Sequence, residues 1–320
     1  VDTSAVEEAV ANKLKLLGDL PEYQQLNMKD QAKRAVELLN SDIEKATRIA
    51  LGEENAPPGL VPESVFKALE IKAQESQLSY ELIYTPKYNV YINSAVKRGY
   101  AGVAVYSKKK PLDVRRSLGL EAVSKPFPLS GIGFEKPFWS LWRPSSKMVL
   151  KWAVDIFDKE GRILELEFDD FILINIYIPH GGRQKEKLIY KLAVYKALFE
   201  KLKKIYDKQI VLAGDFNIAH KEVDLARPKE NQDNIMFTPI ERQQLDNILD
   251  LGLIDSFREL HNKGGHYSWW PYRLNARERN LGWRIDYIFL TKKIAQKMRR
   301  AFILPKVTGS DHCPVGIEVI

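Results

Sequence analysis

The 320-residue chain sets 49 Lys and Arg against 42 Asp and Glu, a formal charge of +7 that suits a polyanionic partner without identifying one. Its single cysteine, Cys313, excludes an internal disulfide and a cysteine-built metal cluster, and suits a reducing compartment. No run approaches the roughly 20 apolar residues of a membrane span, so no membrane partner is expected, and the first residues lack a signal peptide's apolar core.

Residues 1–65 read as a helical N-terminal segment. Apolar residues recur at three- and four-residue spacings over 6–17 and 28–51, among them Ala32, Ala35, Leu38, Leu39, Ile43, Ala46 and Ile49. Ser41-Asp42 suits a helix start within the second stretch. Gly52 and Ala56-Pro57-Pro58-Gly59 end it as a linker. The segment holds no catalytic motif and reads as a packing or interaction module.

From Phe66 onward short strands alternate with turns. Strands are expected over 101–106, 163–168, 171–178, 210–213, 284–290 and 315–320. The span 185–206 predicts an amphipathic helix, with Leu188, Leu192, Tyr195, Phe199, Leu202 and Ile205 on one side and lysines opposite. This pattern implies an α/β domain over 66–320, built of two packed sheets flanked by helices. Residues 122–155 interrupt it with prolines, glycines, Trp139, Trp142 and Trp152. They read as an inserted loop ending in a strand near 149–154, its tryptophans packing in the core in preference to stacking on bases.

Chemistry gathers at strand ends. The apolar run Ile210 to Ala213 stops at Gly214-Asp215-Phe216-Asn217, where a carboxylate closing a buried strand is costly unless a cleft uses it. On an extended chain Asp215 and Asn217 point the same way, although a plain Asx turn would look alike. Glu70 lies between apolar neighbours, Tyr177-Ile178-Pro179-His180 empties into a glycine loop, and Asp311-His312 sits near the C-terminus. Taken singly, Glu70 reads as a helix surface charge, Arg277 and Arg279 as a solvated face, and His312 as a loop histidine. Together, carboxylates, Asn, Tyr and His at strand ends are the parts of a metal-assisted phosphodiesterase. In such a site hard oxygen ligands hold Mg²⁺, a carboxylate activates water and a cationic His neutralises the phosphorane.

These residues resemble the exonuclease III family of apurinic/apyrimidinic endonucleases, within the endonuclease/exonuclease/phosphatase superfamily. The resemblance runs over most of 68–121 and 156–320. Its most specific elements are Gly214-Asp215-Phe216-Asn217, Asp224-Leu225-Ala226-Arg227-Pro228-Lys229, the stretch Asn275-Ala276-Arg277 through Gly282-Trp283-Arg284-Ile285-Asp286-Tyr287, and Ser310-Asp311-His312, in that order. It implies a four-layer α/β sandwich, two mixed β-sheets flanked by helices, that hydrolyses the phosphodiester 5′ of abasic sites in duplex DNA. It also implies Mg²⁺ as cofactor, with Mn²⁺ as a substitute, and 3′→5′ exonuclease and 3′-phosphatase side activities. By this resemblance Glu70 and Asp311 belong to the metal site. Asp215 activates water beside Asn217, Asp286 orients His312 on the scissile phosphate, and Tyr177 binds that phosphate. Trp270, Trp283 and Ile285 would line the pocket for an extrahelical sugar, while Arg183, Arg227, Lys229, Arg277 and Arg284 would contact phosphates. A monomer is implied, cytoplasmic and nucleoid-associated in a prokaryote and nuclear otherwise.

The chain departs from that pattern in three places. The family's opening Ser-Trp-Asn-x-x-Gly strand does not occur, Leu69 stands where Gln precedes the metal-site Glu, and 62–65 reads more as a helix start than as a strand. The 34 residues 122–155 separate Glu121 from Ile156, which would ordinarily lie almost together, and His180 stands where many relatives carry Asn. The alternative reading is therefore a catalytically impaired DNA-binding member or chimera of the same fold. A phosphatase of lipids or small molecules is a third, disfavoured by the Asn-Ala-Arg to Asp-Tyr stretch and the basic charge.

Overall fold

The computed structural model describes residues 66–78, 83, 88–119 and 146–320. The helices expected within 1–65 and residues 122–145 of the expected insert lie outside them. Strands β1 (Phe66–Glu70), β2 (Asn89–Ser94) and β3 (Gly102–Ser107) form an antiparallel sheet in the order β1-β3-β2. A six-stranded sheet runs β4-β5-β6-β7-β9-β8, from β4 (Asp113–Arg115), β5 (Ile163–Glu167), β6 (Ile172–Tyr177), β7 (Ile210–Asp215), β8 (Leu253–Asp255) and β9 (Asp286–Thr291). It is mixed: β6 and β7 are parallel and the other neighbours antiparallel. The hairpin β10 (Met298–Ile303) and β11 (Val315–Val319) completes the strands.

Side-chain alternation sorts each strand into layers. On β6, Ile172, Ile174 and Ile176 enter the core beneath the helices, whereas Leu173, Asn175 and Tyr177 face the other sheet. Val103 and Val105 of β3 meet Leu164, Leu166, Phe168 and Leu173 between the sheets. The outer face of the small sheet carries Ile92, Ala104 and Tyr106, covered by Leu78 and Ile83. On the far side of the large sheet lie α1 (Ser146–Lys159), α2 (Leu188–Lys204) and α3 (Pro239–Asp250); the short α4 (Ser256–Leu260) and α5 (Lys292–Ala295) join later strands. The mixed sheets flanked by helices are the expected fold class.

Three local expectations are corrected. Residues 149–154 form part of helix α1, not a strand: Leu150, Ala153, Val154 and Phe157 recur at helical spacing and are buried beneath α2. The end of the supposed insert thus lends one face to the core, while Trp152, expected in the core, is 50% exposed. Phe66–Glu70 is a strand paired residue by residue with Val103–Ser107, so Glu70 is no helix surface charge. On α2 the lysines do not all face outward, since Lys191 is 0% exposed.

Candidate active site

Strand register assembles the site. Tyr177 pairs with Asp215 across β6 and β7, and Asp215 pairs with Asp286 across β7 and β9, so three functional side chains end adjacent strands at one level. Asp215 shares a face with Val211, whose side chain packs against the opposite sheet. From that sheet β1 supplies Glu70, and the loop before β11 supplies Asp311 and His312. Ligand atoms of Glu70, Asp215 and His312 all fall within 4.8 Å of one another.

Gly214 makes this turn possible. Its φ is +138°, and a Cβ there would stand 1.8 Å from the Ile176 carbonyl oxygen of the neighbouring strand. Beyond it Asn217 takes a left-handed φ of 51°, tolerated by Asn. Asn217 donates to both Asp215 oxygens, from its backbone N to Oδ1 and from Nδ2 to Oδ2, each at 2.7 Å. Its Nδ2 also donates to the Ile178 carbonyl at 2.8 Å. His312 Nδ1 meets Asp286 Oδ2 at 2.9 Å, which turns Nε2 away from that carboxylate.

Electrostatics divides the roles. Burial raises Asp215 well above the usual carboxylate range, and the Asp286 and Glu70 charges add to it. Burial likewise raises Glu70, against the opposing pull of His312, Lys72 and a hydrogen bond from Tyr177. At His312 burial works against protonation, but Asp286, Asp215 and Glu70 outweigh it and lift the imidazole to about 10. The site therefore pairs an imidazolium with carboxylates of raised basicity.

The donor set fits a hard divalent cation. The buried Asp215 and the half-buried Glu70 converge where their mutual repulsion is only partly relieved, and oxygen ligands are what Mg²⁺ accepts. His312 Nδ1 is engaged by Asp286, and the carboxylates of Glu70 and Asp215 are the oxygen donors that the cluster offers such a cation. Asp311 is not in this cluster; its Oδ2 accepts from Trp269 Nε1 at 2.9 Å.

The structure separates the expected DNA contacts. Arg183, Arg227 and Lys229 are exposed. Arg284 is corrected: 1% exposed, it ion-pairs with Asp224 and Asp255 at 2.7 Å each and has no surface for a phosphate. Ile285 and Trp270 are also enclosed, at 1% and 2%, whereas Trp283 is half-buried against Phe237. Arg277 stacks on Trp270 at 4.7 Å and donates to the Ser310 and Pro305 carbonyls, which staples the loop before Asp311. Sequence reasoning missed Trp269, the tryptophan that actually touches Asp311. It also missed Arg162, whose guanidinium lies 4.2 Å from the centre of the Tyr177 ring. The charged turn Asp158-Lys159-Glu160-Gly161-Arg162 was visible, but not the ring above it.

A cluster of carboxylates beside a histidine, at the ends of strands from two packed sheets, is suited to the chemistry of a phosphoester hydrolase. A family model described as the Endonuclease/Exonuclease/phosphatase family matches residues 60–312, and the chain belongs to that family. It is 36% identical over 252 residues to an exodeoxyribonuclease of Bacillus subtilis (strain 168), covering 78% of this chain and 85% of that protein. It is 34% identical over 253 residues to the DNA repair nuclease APEX1 of Danio rerio, covering 78% and 70%. A 3′-5′ exonuclease from Neisseria meningitidis superposes with a TM-score of 0.67 at 25% identity, over 87% of this chain and 95% of the other. An AP endonuclease from Archaeoglobus fulgidus gives 0.65 at 23% identity, over 80% and 89%, and shares the fold. The chain is a hydrolytic nuclease of the DNA-repair class.

Proposed function

We propose that the chain is a Mg²⁺-dependent nuclease that hydrolyses the phosphodiester 5′ of an abasic site in duplex DNA, with 3′ ends as secondary substrates. The observation that carries this reading is the convergence of Glu70, Asp215 and His312 within 4.8 Å, with Asp286 behind the imidazole. Relatives named as a DNA repair nuclease and an exodeoxyribonuclease support DNA as the substrate.

Glu70, with Asp215 in reach of the same ion, would hold Mg²⁺, which supplies Lewis-acid polarisation of the phosphoryl oxygen and charge neutralisation at the leaving oxygen. Asp215 is aimed by Asn217 and made basic by burial, so it suits taking the proton of the attacking water. As the water oxygen bonds to phosphorus, the bond to the 3′-oxygen breaks, and that oxygen takes a proton from solvent to leave a 3′-hydroxyl opposite a 5′-phosphate. His312, cationic at neutral pH, neutralises charge gathering on the phosphorane, and Asp286 fixes its orientation. Tyr177 stands at the same level to hold the phosphate.

The test is incision of a duplex carrying a tetrahydrofuran abasic mimic, with Mg²⁺, EDTA and Asp215→Asn arms. Incision by the wild type, lost in both control arms, is expected. Retained duplex binding without incision would sink the enzyme reading, and hydrolysis of inositol phosphates or phospholipids with the duplex left intact would replace the substrate.

A further inference from the structure

The two carboxylates that would face a metal come from different sheets, Glu70 from β1 and Asp215 from β7. Their separation therefore depends on how one sheet is seated on the other. Most side chains between the sheets are apolar, among them Val103, Val105, Leu164, Leu166 and Leu173. Apolar contact is non-directional, so it holds the layers together without fixing their register to a fraction of an ångström.

Among the described residues two amides cross that layer: Asn93 of β2 donates from Nδ2 to the Ile163 carbonyl of β5 at 2.8 Å, and a second amide reaches β1. Asn175, 2% exposed on β6, donates from Nδ2 to the Leu69 carbonyl and to the Ala104 carbonyl, both at 3.1 Å. Both acceptors being carbonyls, the amide can sit only with its NH₂ toward the small sheet. Leu69 and Ala104 are register partners across β1 and β3. Asn175 itself is the register partner of Ala213 on β7. One amide thus clasps a matched pair in the small sheet from a fixed position in the large one. Its reach ends one residue before Glu70 and, through Ala213, two residues before Asp215. Among the described residues β1 pairs with β3 alone, so the clasp is its second directional anchor.

We infer that Asn175 is a positioning residue, a cross-sheet clasp that sets Glu70 at metal-sharing distance from Asp215. The inference rests on the metal reading of the site. Misplacement of a reacting group by about 1 Å costs on the order of 100-fold in rate, so a register slip here would act on the site well before it unfolds the domain.

The experiment measures Mn²⁺ binding by the free protein through its paramagnetic resonance signal, with no DNA present. Hydrogen exchange of the peptide spanning 66–70 and thermal melting are followed alongside. Asn175→Leu keeps the volume and removes both donors. Ile174→Ala, on the same strand but facing the helices, is the control for plain core damage. The expected result for Asn175→Leu is a Mn²⁺ dissociation constant raised at least about tenfold with faster exchange in β1, while Ile174→Ala melts lower yet binds Mn²⁺ as the wild type does. Should Asn175→Leu fail to fold, Asn175→Ser, which keeps one short donor, carries the same expectation. Unchanged Mn²⁺ affinity in the folded Asn175 variant, or an equal loss in Ile174→Ala, overturns the inference. Absence of Mn²⁺ binding by the wild type overturns the metal reading itself and this inference with it, and the wild-type arm alone shows which has failed.

Discussion

Lys191→Met should be one of the most damaging single substitutions outside the catalytic groups. Lys191 and Glu241 form an ion pair at 2.6 Å with both side chains 0% exposed. The remaining ammonium donors go to the Asn217 carbonyl at 2.7 Å and the His180 carbonyl at 3.2 Å. Removing the cation strips all of these bonds at once. It also strands the Glu241 carboxylate, which keeps only neutral donors, Met236 N at 2.9 Å and Thr238 Oγ at 2.7 Å among them. Breaking a buried pair from one side costs about 3–5 kcal/mol, because the remaining charge cannot return to water. Lys191→Met/Glu241→Gln removes the stranded charge, and should recover about 1–3 kcal/mol relative to the sum of the single changes, the scale of coupling between touching groups.

Urea unfolding with linear extrapolation measures all three variants. The same cation holds the carbonyl of Asn217, the residue that aims Asp215. Incision by folded Lys191→Met at saturating substrate is therefore expected to fall further than any change in duplex binding. A single variant within about 1 kcal/mol of wild type, or a double variant whose loss equals the two single losses added, would refute the buried-pair reasoning.

Asp286→Asn should return His312 from about 10 toward its ordinary value near 6.5, read from its imidazole nitrogen resonances in metal-free protein. Because the folded value is raised, this group's stabilisation is full below about pH 6.5 and is lost as pH climbs through about 10, and the variant should show less of that alkaline loss. An unmoved titration would remove Asp286 as the cause. Gly214→Ala should destabilise by more than about 4 kcal/mol, since its Cβ would stand 1.8 Å from the Ile176 carbonyl oxygen; a wild-type melting curve would contradict that. Cys313 is 6% exposed and burial lifts its thiol to about 12. Iodoacetamide at pH 8 should spare it until the chain unfolds, and labelling of native protein at the rate of a peptide thiol would show the burial to be wrong.

The four central strands of the large sheet were legible because they carry strong local signals, whereas the short edge strands β4 and β8 were not. The run Ile210 to Ala213 and the stretch 163–178 are apolar enough to read without partners, and their ends announce the site residues. What escaped was decided by tertiary contact. The span 149–154 is apolar and short, and its helical spacing shows only when Leu150 and Phe157 are counted with it. Lys191 sits at a helical position that solvates in most proteins, and only the approach of Glu241 from α3 explains its burial. Arg284 illustrates the converse error. The family resemblance suggested a phosphate contact, but its side chain is enclosed and paired with Asp224 and Asp255. Motif order located the site within the chain; it did not say which neighbours of the catalytic groups face the cleft.

The site is also a gauge of how the domain is assembled. Tyr177, Asp215 and Asp286 are locked together by hydrogen-bonded register within one sheet, so their spacing survives any change that leaves that sheet intact. Glu70 reaches them from the other sheet, and His312 from a loop braced by Arg277 and by the Trp269 bridge. Perturbations should accordingly divide into two kinds. Those within the large sheet change stability and activity together, as Gly214→Ala would. Those at the seams, through Asn175 or Arg277, should weaken metal binding or phosphate placement while the large sheet stays folded. The second kind is where a member of this family could lose turnover and keep its fold, and it is governed by a few directional bonds between layers whose bulk contact is apolar.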